Sequence, residues 1–355
     1  MRTMIIVLAC TVTAFGYGYW DIFGVGGRVL SLSPVSAGMC GAVVPDGSSA
    51  FSLFTNPSAL AGSDKVIVSL SGWGTGWREE IIYHYTCTEP SRFNLGSMSP
   101  RGAFAVTMPL GGGFTAGAGI ATVSQYQMKA MVQEYHEVTS YKRELWKTLT
   151  TDATGDLNEA LVSIAGTVGP VNIGVSPGIR FGGGESTTYS NRVSGQDSTF
   201  TESWDVTGFA LRAGASMAIG YTVLYSTHTS GDSRYLSFSN IGASASFPFM
   251  KGGYLGAELG VFDGDNLNVT AFTRLPGVIE GSNMYLGLNG YRPDAALKTG
   301  IGLSIGGDYS FRNYRVSAAY HFHSRYRDGT AVPVQYINYV YDAGDTVTAG
   351  IERTF

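Results

Sequence analysis

Asp345-Thr-Val-Thr-Ala-Gly-Ile-Glu-Arg-Thr-Phe355 is the stretch that decides the fold of this chain. Its residues alternate in polarity. The apolar or aromatic members are Val347, Ala349, Ile351 and Phe355, and the residues between them are threonine, glycine, glutamate and arginine. A strand with one apolar and one polar face suits a closed barrel in a bilayer, because lipid lies outside the barrel and water inside it. The stretch therefore predicts a membrane-spanning β-strand.

The same two-residue alternation recurs along the second half of the chain, at 255–261, 267–275 and 315–323. In each stretch the charged, amide or imidazole residues share a face with glycine, serine or threonine. A water-filled lumen explains this partition better than a soluble core, which would bury large apolar residues. The ionisable residues on these faces are candidate lumen-lining and ligand-contacting groups: Glu258, Arg274, Arg315, His321 and His323.

The composition of the chain also favours a membrane barrel. Charged residues make up 14% of the 355 residues, against about 25% in typical soluble domains. Glycine occurs 49 times, and beyond the first 16 residues no apolar run is long enough for a spanning helix. A secreted soluble β-sandwich is the alternative. No run of Lys or Arg suggests a nucleic-acid partner.

Both ends of the chain carry features of an exported protein. Residues 1–16 have a positive start, an apolar middle and small residues at Ala14 and Gly16, so they are predicted to be a cleaved signal peptide. The terminal Phe355 resembles the signal read by the outer-membrane assembly machinery. The predicted location is the outer membrane of a Gram-negative-type bacterium. Cys40 and Cys87 remain after cleavage, and whether they pair is left open.

Alternating connection lengths predict an all-β fold, a barrel of about 14 antiparallel strands over residues 65–355. Short turns alternate with longer loops, among them 125–155 and 183–202, and part of 125–157 resembles a helix. The count requires 65–87 to form one long strand. It also requires 333–341 to be a strand-like part of the last long loop.

Residues 17–64, here called the hatch segment, contain three small-residue motifs before the first strand: Ser36-Ala-Gly-Met-Cys-Gly-Ala-Val-Val44, Asp46-Gly-Ser-Ser-Ala-Phe51 and Thr55-Asn-Pro-Ser-Ala-Leu-Ala61. They resemble motifs of the FadL/TodX (OMPP1) and PorV/PorQ group of outer-membrane barrels. Cys40 stands where the group's first motif has glycine. In FadL-type members the resemblance implies a 14-stranded barrel with an amino-terminal hatch inside it. The motif residues it assigns to the hatch are Gly38, Gly41, Asn56, Pro57 and Leu60.

The resemblance allows different functions. FadL-type members take up hydrophobic small molecules, whereas PorV-type members serve a protein-secretion system and bind exported proteins. A structural or porin-like barrel without a dedicated ligand is a third possibility. The first is the favoured prediction, with outer-membrane lipid as the surrounding partner.

Two further features bear on an uptake route. Phe51 and Phe54, in the hatch segment, either line an apolar pocket or pack the hatch against the wall. Gly117 and Gly119, in the predicted third strand, either mark a gap in the wall or make room for the hatch.

Catalysis and cofactor binding are not predicted. The five histidines occupy no hydrolase signature, and His321 and His323 share a strand face without a third metal ligand nearby in sequence. Tyrosines in or near strands, including Tyr225, Tyr254 and Tyr285, are predicted to form interfacial girdles.

Overall fold

The computed structural model describes residues 27–28, 31–42, 49–83, 92–95, 100–139, 142–193, 195–230, 238–262, 266–291, 297–328 and 337–355. Within them lie two short α-helices, α1 (Pro34–Gly38) and α2 (Ser52–Thr55), and a 3-10 helix (Pro57–Leu60). The strands are β1 (Gly27–Arg28), β2 (Ile67–Tyr83), β3 (Arg92–Leu95), β4 (Arg101–Gly111), β5 (Phe114–Thr139), β6 (Lys142–Val168), β7 (Val171–Arg192), β8 (Ser198–Ile219), β9 (Thr222–Thr229), β10 (Phe238–Met250), β11 (Gly253–Phe262), β12 (Asn266–Pro276), β13 (Ser282–Tyr291), β14 (Leu297–Phe311), β15 (Tyr314–Asp328) and β16 (Ile337–Thr354).

The strands form a closed antiparallel barrel. Each barrel strand pairs with its neighbour in sequence, β16 pairs with both β15 and β2, and β5 pairs with both β4 and β6. The short strands β1 and β3 only add to β5 and β2. The barrel proper therefore has 14 strands, as the sequence predicts.

Within the described residues, which leave out 84–87 and 333–336, the chain is consistent with both conditions on the strand count. β2 is one strand that pairs with β16 along its whole length. Residues 337–341 are not a separate strand, because they are the beginning of β16 and pair with 326–328 of β15 and 80–83 of β2.

The prediction of long loops and helix after residue 125 is wrong. β5 and β6 continue as a paired hairpin from Gln125↔Asp156 to Thr139↔Lys142, and β7 and β8 pair out to Ser190↔Ser198. Strand segments that extend beyond a bilayer need no apolar face. The two-residue alternation fades there although the backbone pairing persists.

The short turns all lie at one end of the barrel, here called the short-turn end, and the long hairpins lie at the other, the long-hairpin end. Gly169 and Gly220, in two of these tight turns, have a φ of 60°. That left-handed conformation costs glycine little, which favours it where a chain reverses in two residues.

The outward face of the barrel is apolar, and the inward face is small or polar. Leu255, Leu259 and Val269 lie outward and exposed, whereas Glu258 and Thr270, on the same two strands, are buried. No helix among the described ranges is both long and apolar enough to cross a membrane. The signal-peptide prediction for 1–16 lies outside the described residues.

Candidate functional site

The described part of the hatch segment lies inside the barrel and contacts two different walls. Helix α1 packs against β13, β14, β15 and β16. Helix α2 and the 3-10 helix pack against the wall formed by β5 to β8. These described residues of the hatch segment therefore fill part of the lumen.

The first contact is a close approach of backbone to backbone. A Cβ on Gly38 would stand 3.2 Å from Cα of Gly306 and 3.1 Å from Cβ of Tyr285, so only a small residue fits at position 38. Ser304 of β14 also bonds the hatch segment, because its Oγ donates to the carbonyl oxygen of Gly38 (2.8 Å) and accepts from the N–H of Cys40 (2.9 Å). The Gly-Met-Cys-Gly motif is thus held on β14 through its backbone.

The Asn-Pro motif forms the second contact. Asn56 is buried, and its Oδ1 accepts from the N–H (3.3 Å) and the hydroxyl (2.7 Å) of Ser58. The same hydroxyl lies 2.9 Å from Oγ of Ser216 on β8. A Cβ on Gly174 would stand 2.4 Å from the carbonyl carbon of Pro57, and one on Gly214 would stand 2.3 Å from Asn56 Oδ1. Two wall glycines therefore make the space that the motif occupies.

The two phenylalanines of the hatch segment are packed. Phe51 is 4% exposed and Phe54 is 1% exposed. The Phe54 ring lies against β5, with its Cε2 3.0 Å from the place where a Cβ on Gly119 would stand. Of the two alternatives drawn from the sequence, this geometry matches packing for Phe54 and room for the hatch at Gly119.

Pairing of β5 is unbroken at the glycines that were predicted as a possible wall gap. Gly117 pairs with Thr107 and Ser163, and Gly119 pairs with Ala105 and Leu161. The register shifts of the β5–β6 ladder lie farther along β5, and the first of them falls between Thr122 and Ser124. The prediction of a gap at Gly117 and Gly119 is wrong, because a strand-interior glycine here leaves space on the lumen face without interrupting the ladder.

The ladder between β6 and β7 is also irregular. Their paired residues skip from Leu161↔Gly178 to Ile164↔Val175. Pro177 falls in the skipped interval, and proline has no N–H to donate to a ladder. Ser176 Oγ lies 2.9 Å from Ser163 Oγ across the interval, so side chains link the strands where backbone bonds are missing.

A buried ionic cluster links the wall to α2. Nε and Nη2 of Arg180 donate to Oε1 of Glu159 (3.0 and 2.7 Å), and Nε of Arg212 donates to Oε2 (2.7 Å). Nη1 of Arg212 also donates to the carbonyl oxygen of Phe54. Side chains of Glu159 and Arg180 are fully buried. One carboxylate thus orients two cations, and one of these cations bonds the hatch backbone.

A second network lies beside α1, towards the short-turn end. Asp308 accepts from Nε of Arg315 (2.9 Å), from Nδ2 of Asn283 (2.8 Å) and from the hydroxyl of Tyr285. Nε of Arg274 donates to Oδ1 of Asn283 (3.0 Å). Arg274 and Arg315 therefore face the lumen, as the alternation predicts, and each is held by neighbouring side chains.

Three of the tyrosines predicted for the interfacial girdles, Tyr225, Tyr254 and Tyr285, lie on the lumen face instead. The hydroxyl of Tyr254 donates to Sδ of Met39 in the hatch segment (3.6 Å). Tyr225 and Tyr285 are 3% and 1% exposed. Tyr225 donates its hydroxyl to Oε1 of Glu258 (2.9 Å), while Tyr285 bonds Asp308. The girdle prediction is wrong for these three tyrosines, because a phenol can place its ring in a packed layer and its hydroxyl in a polar one.

The histidines of β15 lie on the lumen face. The rings of His321 and His323 stack with centroids 5.5 Å apart, and within the described part of the chain neither ring nitrogen of His321 has a hydrogen-bond partner. Among the described residues, no group of three His, Cys, Asp or Glu side chains has the geometry to hold a metal ion. Cys40 is a buried free thiol, while Cys87 lies outside the described residues.

A cavity of about 500 Å³ lies between the end of the hatch segment and the wall at the short-turn end. It is lined by residues 59–65 together with Ile67, Thr107, Glu352 and Thr354. Leu60, a motif residue, is 3% exposed and forms part of the apolar lining. The volume lies within the range of pockets that hold small organic ligands.

The sequence analysis did not single out Glu159, Arg180, Arg212 or Asp308 as site residues. A usable signal was present, since Glu159, Arg180 and Arg212 each interrupt an otherwise small or apolar strand. Charges at such positions are costly in lipid and therefore point inward.

Neither the comparison with protein-family models nor the comparison with curated proteins finds a match. Solved structures do match. The Pseudomonas putida toluene transporter TodX aligns at 10% identity over 92% of this chain and 98% of that chain, with a TM-score of 0.60. The deltaS2 mutant of the TodX monoaromatic hydrocarbon channel aligns at 10% identity over 91% and 98%, with a TM-score of 0.59. The likeness supports the FadL/TodX side of the resemblance at the level of fold, and the PorV/PorQ link stays a prediction. The chain has the fold of the TodX outer-membrane barrels.

Proposed function

We propose that this protein is an outer-membrane channel for the uptake of hydrophobic small molecules, and that the hatch segment controls its lumen. The observation that carries the proposal is the two-sided docking of the hatch, on β14 through Ser304 and on β8 through Ser216. A barrel obstructed in this way is unsuited to free diffusion of ions or sugars. It suits a ligand that is bound and then released when the hatch moves.

The cavity beside Leu60 provides a place for such a ligand at the short-turn end. Apolar surface removed from water there contributes roughly 25 cal/mol per Å². TodX, which shares the fold, is described as a toluene transporter, and toluene is a molecule of this class. We extend that substrate class to the present chain as a hypothesis, and we assign no catalytic residue.

The location follows the same proposal. The short-turn end faces the periplasm and the long hairpins face outward. Phe355 follows the last residue of β16, with its N–H bonded to the carbonyl oxygen of Val66 (2.9 Å), and the residue is 57% exposed. The outward apolar face is available to outer-membrane lipid.

The test is equilibrium dialysis of radiolabelled toluene against the chain lacking residues 1–16, held in lipid nanodiscs, with empty nanodiscs as reference. We expect saturable binding of roughly one toluene per chain. Leu60→Asp should weaken it about tenfold, or about 1.4 kcal/mol, because a carboxylate then faces the cavity. The matched control Leu60→Met keeps the volume and apolarity and should bind as the wild type does.

Toluene binding no greater than in empty nanodiscs would overturn the uptake function. Rapid swelling of wild-type proteoliposomes in arabinose would identify an open, porin-like barrel instead. No observation on the described residues specifically favours the protein-secretion role. Secretion would be supported if exported proteins co-purified with the barrel in place of toluene-like ligands.

A further inference from the structure

The cavity at the short-turn end has an apolar side and a polar side. Residues 59–61 of the hatch segment, Ala-Leu-Ala, form the apolar side. On the wall, Thr354 of β16, Ile67 of β2 and Thr107 of β4 lie directly opposite one another and line the cavity. Glu352, the next inward position of β16, lines it as well. Both ends of this wall row and its neighbour Glu352 are therefore polar.

Thr107 contributes a buried hydroxyl. The residue is 1% exposed, and within the described part of the chain its Oγ1 has no hydrogen-bond partner. Its Cγ2 methyl lies 3.1 Å from the place where a Cβ on Gly117 would stand, so the methyl faces β5. The cavity lies on the other side of Thr107, towards Ile67. Because an unsatisfied buried hydroxyl is destabilising, it indicates that a molecule in the cavity completes it.

Glu352 contributes an acceptor on the same side of the cavity. Its Oε2 accepts from Oγ of Ser69 on β2 (3.1 Å). Strand β2 lies between β16 and β4. The bond to Ser69 therefore draws the carboxylate over the strand that separates it from Thr107. An ionised carboxylate has about four acceptor sites, so the bond to Ser69 leaves capacity for a ligand.

The charges in the described lining of the cavity are Asp64, Lys65 and Glu352. Asp64 and Lys65 are exposed neighbours of opposite sign, whereas Glu352 is half-buried. Because solvent and salt screen exposed charges most strongly, Glu352 contributes the largest field in the cavity.

The arginines beside the cavity do not reverse this sign. Arg315 lies opposite Glu352 on β15, and its Nη2 lies 2.8 Å from Oδ2 of Asp308. One guanidinium thus serves two carboxylates, which leaves a negative surplus. Arg353 faces outward, with its guanidinium 4.2 Å from the centre of the Phe355 ring. A carboxylate ligand would therefore meet like charge, whereas a neutral hydroxyl can donate to Glu352 or accept from Thr107.

We propose that Thr107 and Glu352 form a polar subsite of this cavity for the hydroxyl group of a neutral and otherwise apolar ligand, a phenol or an alcohol. The subsite disfavours carboxylates built on the same skeleton. This inference rests on the proposed uptake function and specifies its substrate class.

The test compares three ligands of one skeleton in the nanodisc assay at neutral pH: toluene, p-cresol and p-toluate. Thr107→Val removes the hydroxyl at nearly constant volume, and Thr107→Ser restores it. Glu352→Gln removes the charge but keeps an acceptor for Ser69. The matched control is Thr115→Val, because Thr115 of β5 is also buried with an unpartnered hydroxyl among the described residues, yet does not belong to the described lining. Folding of each variant is checked by the heat-dependent gel mobility of the barrel.

For Thr107→Val we expect the ratio of p-cresol affinity to toluene affinity to fall about tenfold, the equivalent of about 1.4 kcal/mol. Thr107→Ser and Thr115→Val should keep the wild-type ratio. The wild type should bind p-toluate more weakly than p-cresol. Glu352→Gln should raise the ratio of p-toluate affinity to p-cresol affinity at least about threefold, because it removes the like charge.

If toluene binds saturably but Thr107→Val keeps the wild-type ratio, the hydroxyl holds only water, and the inference fails while the uptake function stands. An equal fall in Thr115→Val would also overturn the inference, since the effect would not belong to the cavity. The same holds if the wild type prefers p-toluate to p-cresol, or if Glu352→Gln leaves p-toluate binding unchanged. If none of the three ligands binds saturably, the uptake function and the subsite fall together.

Discussion

At the scale of single residues, Cys40 of the hatch segment has an unusual backbone conformation. Its φ is 54° and that of Gly41 is 79°, so two consecutive residues have the left-handed backbone conformation. A non-glycine residue in this conformation costs roughly 1–2 kcal/mol. The family motif that this segment resembles has glycine at the position of Cys40, and the left-handed backbone conformation explains why glycine is favoured there. The N–H bond to Ser304 and the burial of the thiol offset the strain.

Burial raises the pKa of the Cys40 thiol to about 11 from an ordinary value of 9.0. The folded state therefore disfavours the thiolate. The stabilisation that this provides is fully present below about pH 9 and is lost as the pH rises towards about 11. At pH 8 we expect iodoacetamide to modify Cys40 at least about 100-fold more slowly in the folded than in the unfolded chain.

The alkylation experiment uses a Cys87→Ser chain without residues 1–16, so that Cys40 is the remaining thiol. The same sample unfolded in hot SDS gives the reference rate. Equal rates before and after unfolding would contradict a buried thiol at the wall.

At the scale of elements, the 3-10 helix packs closely against the wall behind it, because the wall residues that face it are glycines. Gly174 of β7 and Gly214 of β8 face Pro57 and Asn56 at distances that leave no room for a Cβ. The wall and the Asn-Pro motif are therefore complementary in shape, and the Asn56–Ser58–Ser216 bonds add direction to that fit.

We predict that Gly174→Ala displaces the 3-10 helix, because the new methyl group would stand 2.4 Å from the backbone of Pro57. Asn56→Ala should loosen the same contact by removing the acceptor for Ser58. Both variants should swell faster than the wild type in arabinose in liposome-swelling assays. Gly208→Ala is the control, since a Cβ there meets nothing within 4 Å.

Unchanged permeability of Gly174→Ala and Asn56→Ala, with normally folded barrels, would reduce the Asn-Pro motif to a simple turn before β2. Increased leakage in the control as well would indicate general damage to the wall.

At the scale of the whole molecule, stability depends on keeping charge off the outer face. Val269, near the middle of β12, lies outward and 46% exposed. Arginine at a lipid-facing midplane position costs roughly 2–4 kcal/mol. Val269→Arg should therefore lower the free energy of unfolding in lipid bilayers by about that amount.

Val278→Arg provides the comparison, because Val278 lies fully exposed in the turn between β12 and β13. Its effect should stay within about 0.5 kcal/mol, as for ordinary surface substitutions. Urea titration in lipid vesicles measures both variants. Equal effects at the two positions would argue against a lipid-facing outer wall.

Much of this architecture follows from local patterns. The 14 strands, their antiparallel order and the inward direction of Glu258, Arg274, Arg315 and His321 are predicted from alternation and turn spacing. The long hairpins after residue 125 are not, because their alternation is lost outside the apolar layer. A possible wall gap at Gly117 and Gly119 was inferred from glycine inside a strand, but the ladder is unbroken there, and the space at Gly119 is filled by the Phe54 ring, 65 positions away in the chain.

The sequence by itself determined the barrel, because period-two polarity and short turns act between residues that are near in the chain. Only the tertiary structure decided which lumen groups meet. Glu159 holds arginines from two later strands and, through Arg212, the Phe54 carbonyl. Ser304 holds Cys40 across 264 positions. Such partners depend on strand register and on how the hatch enters the closed barrel, and both are set by packing between distant segments.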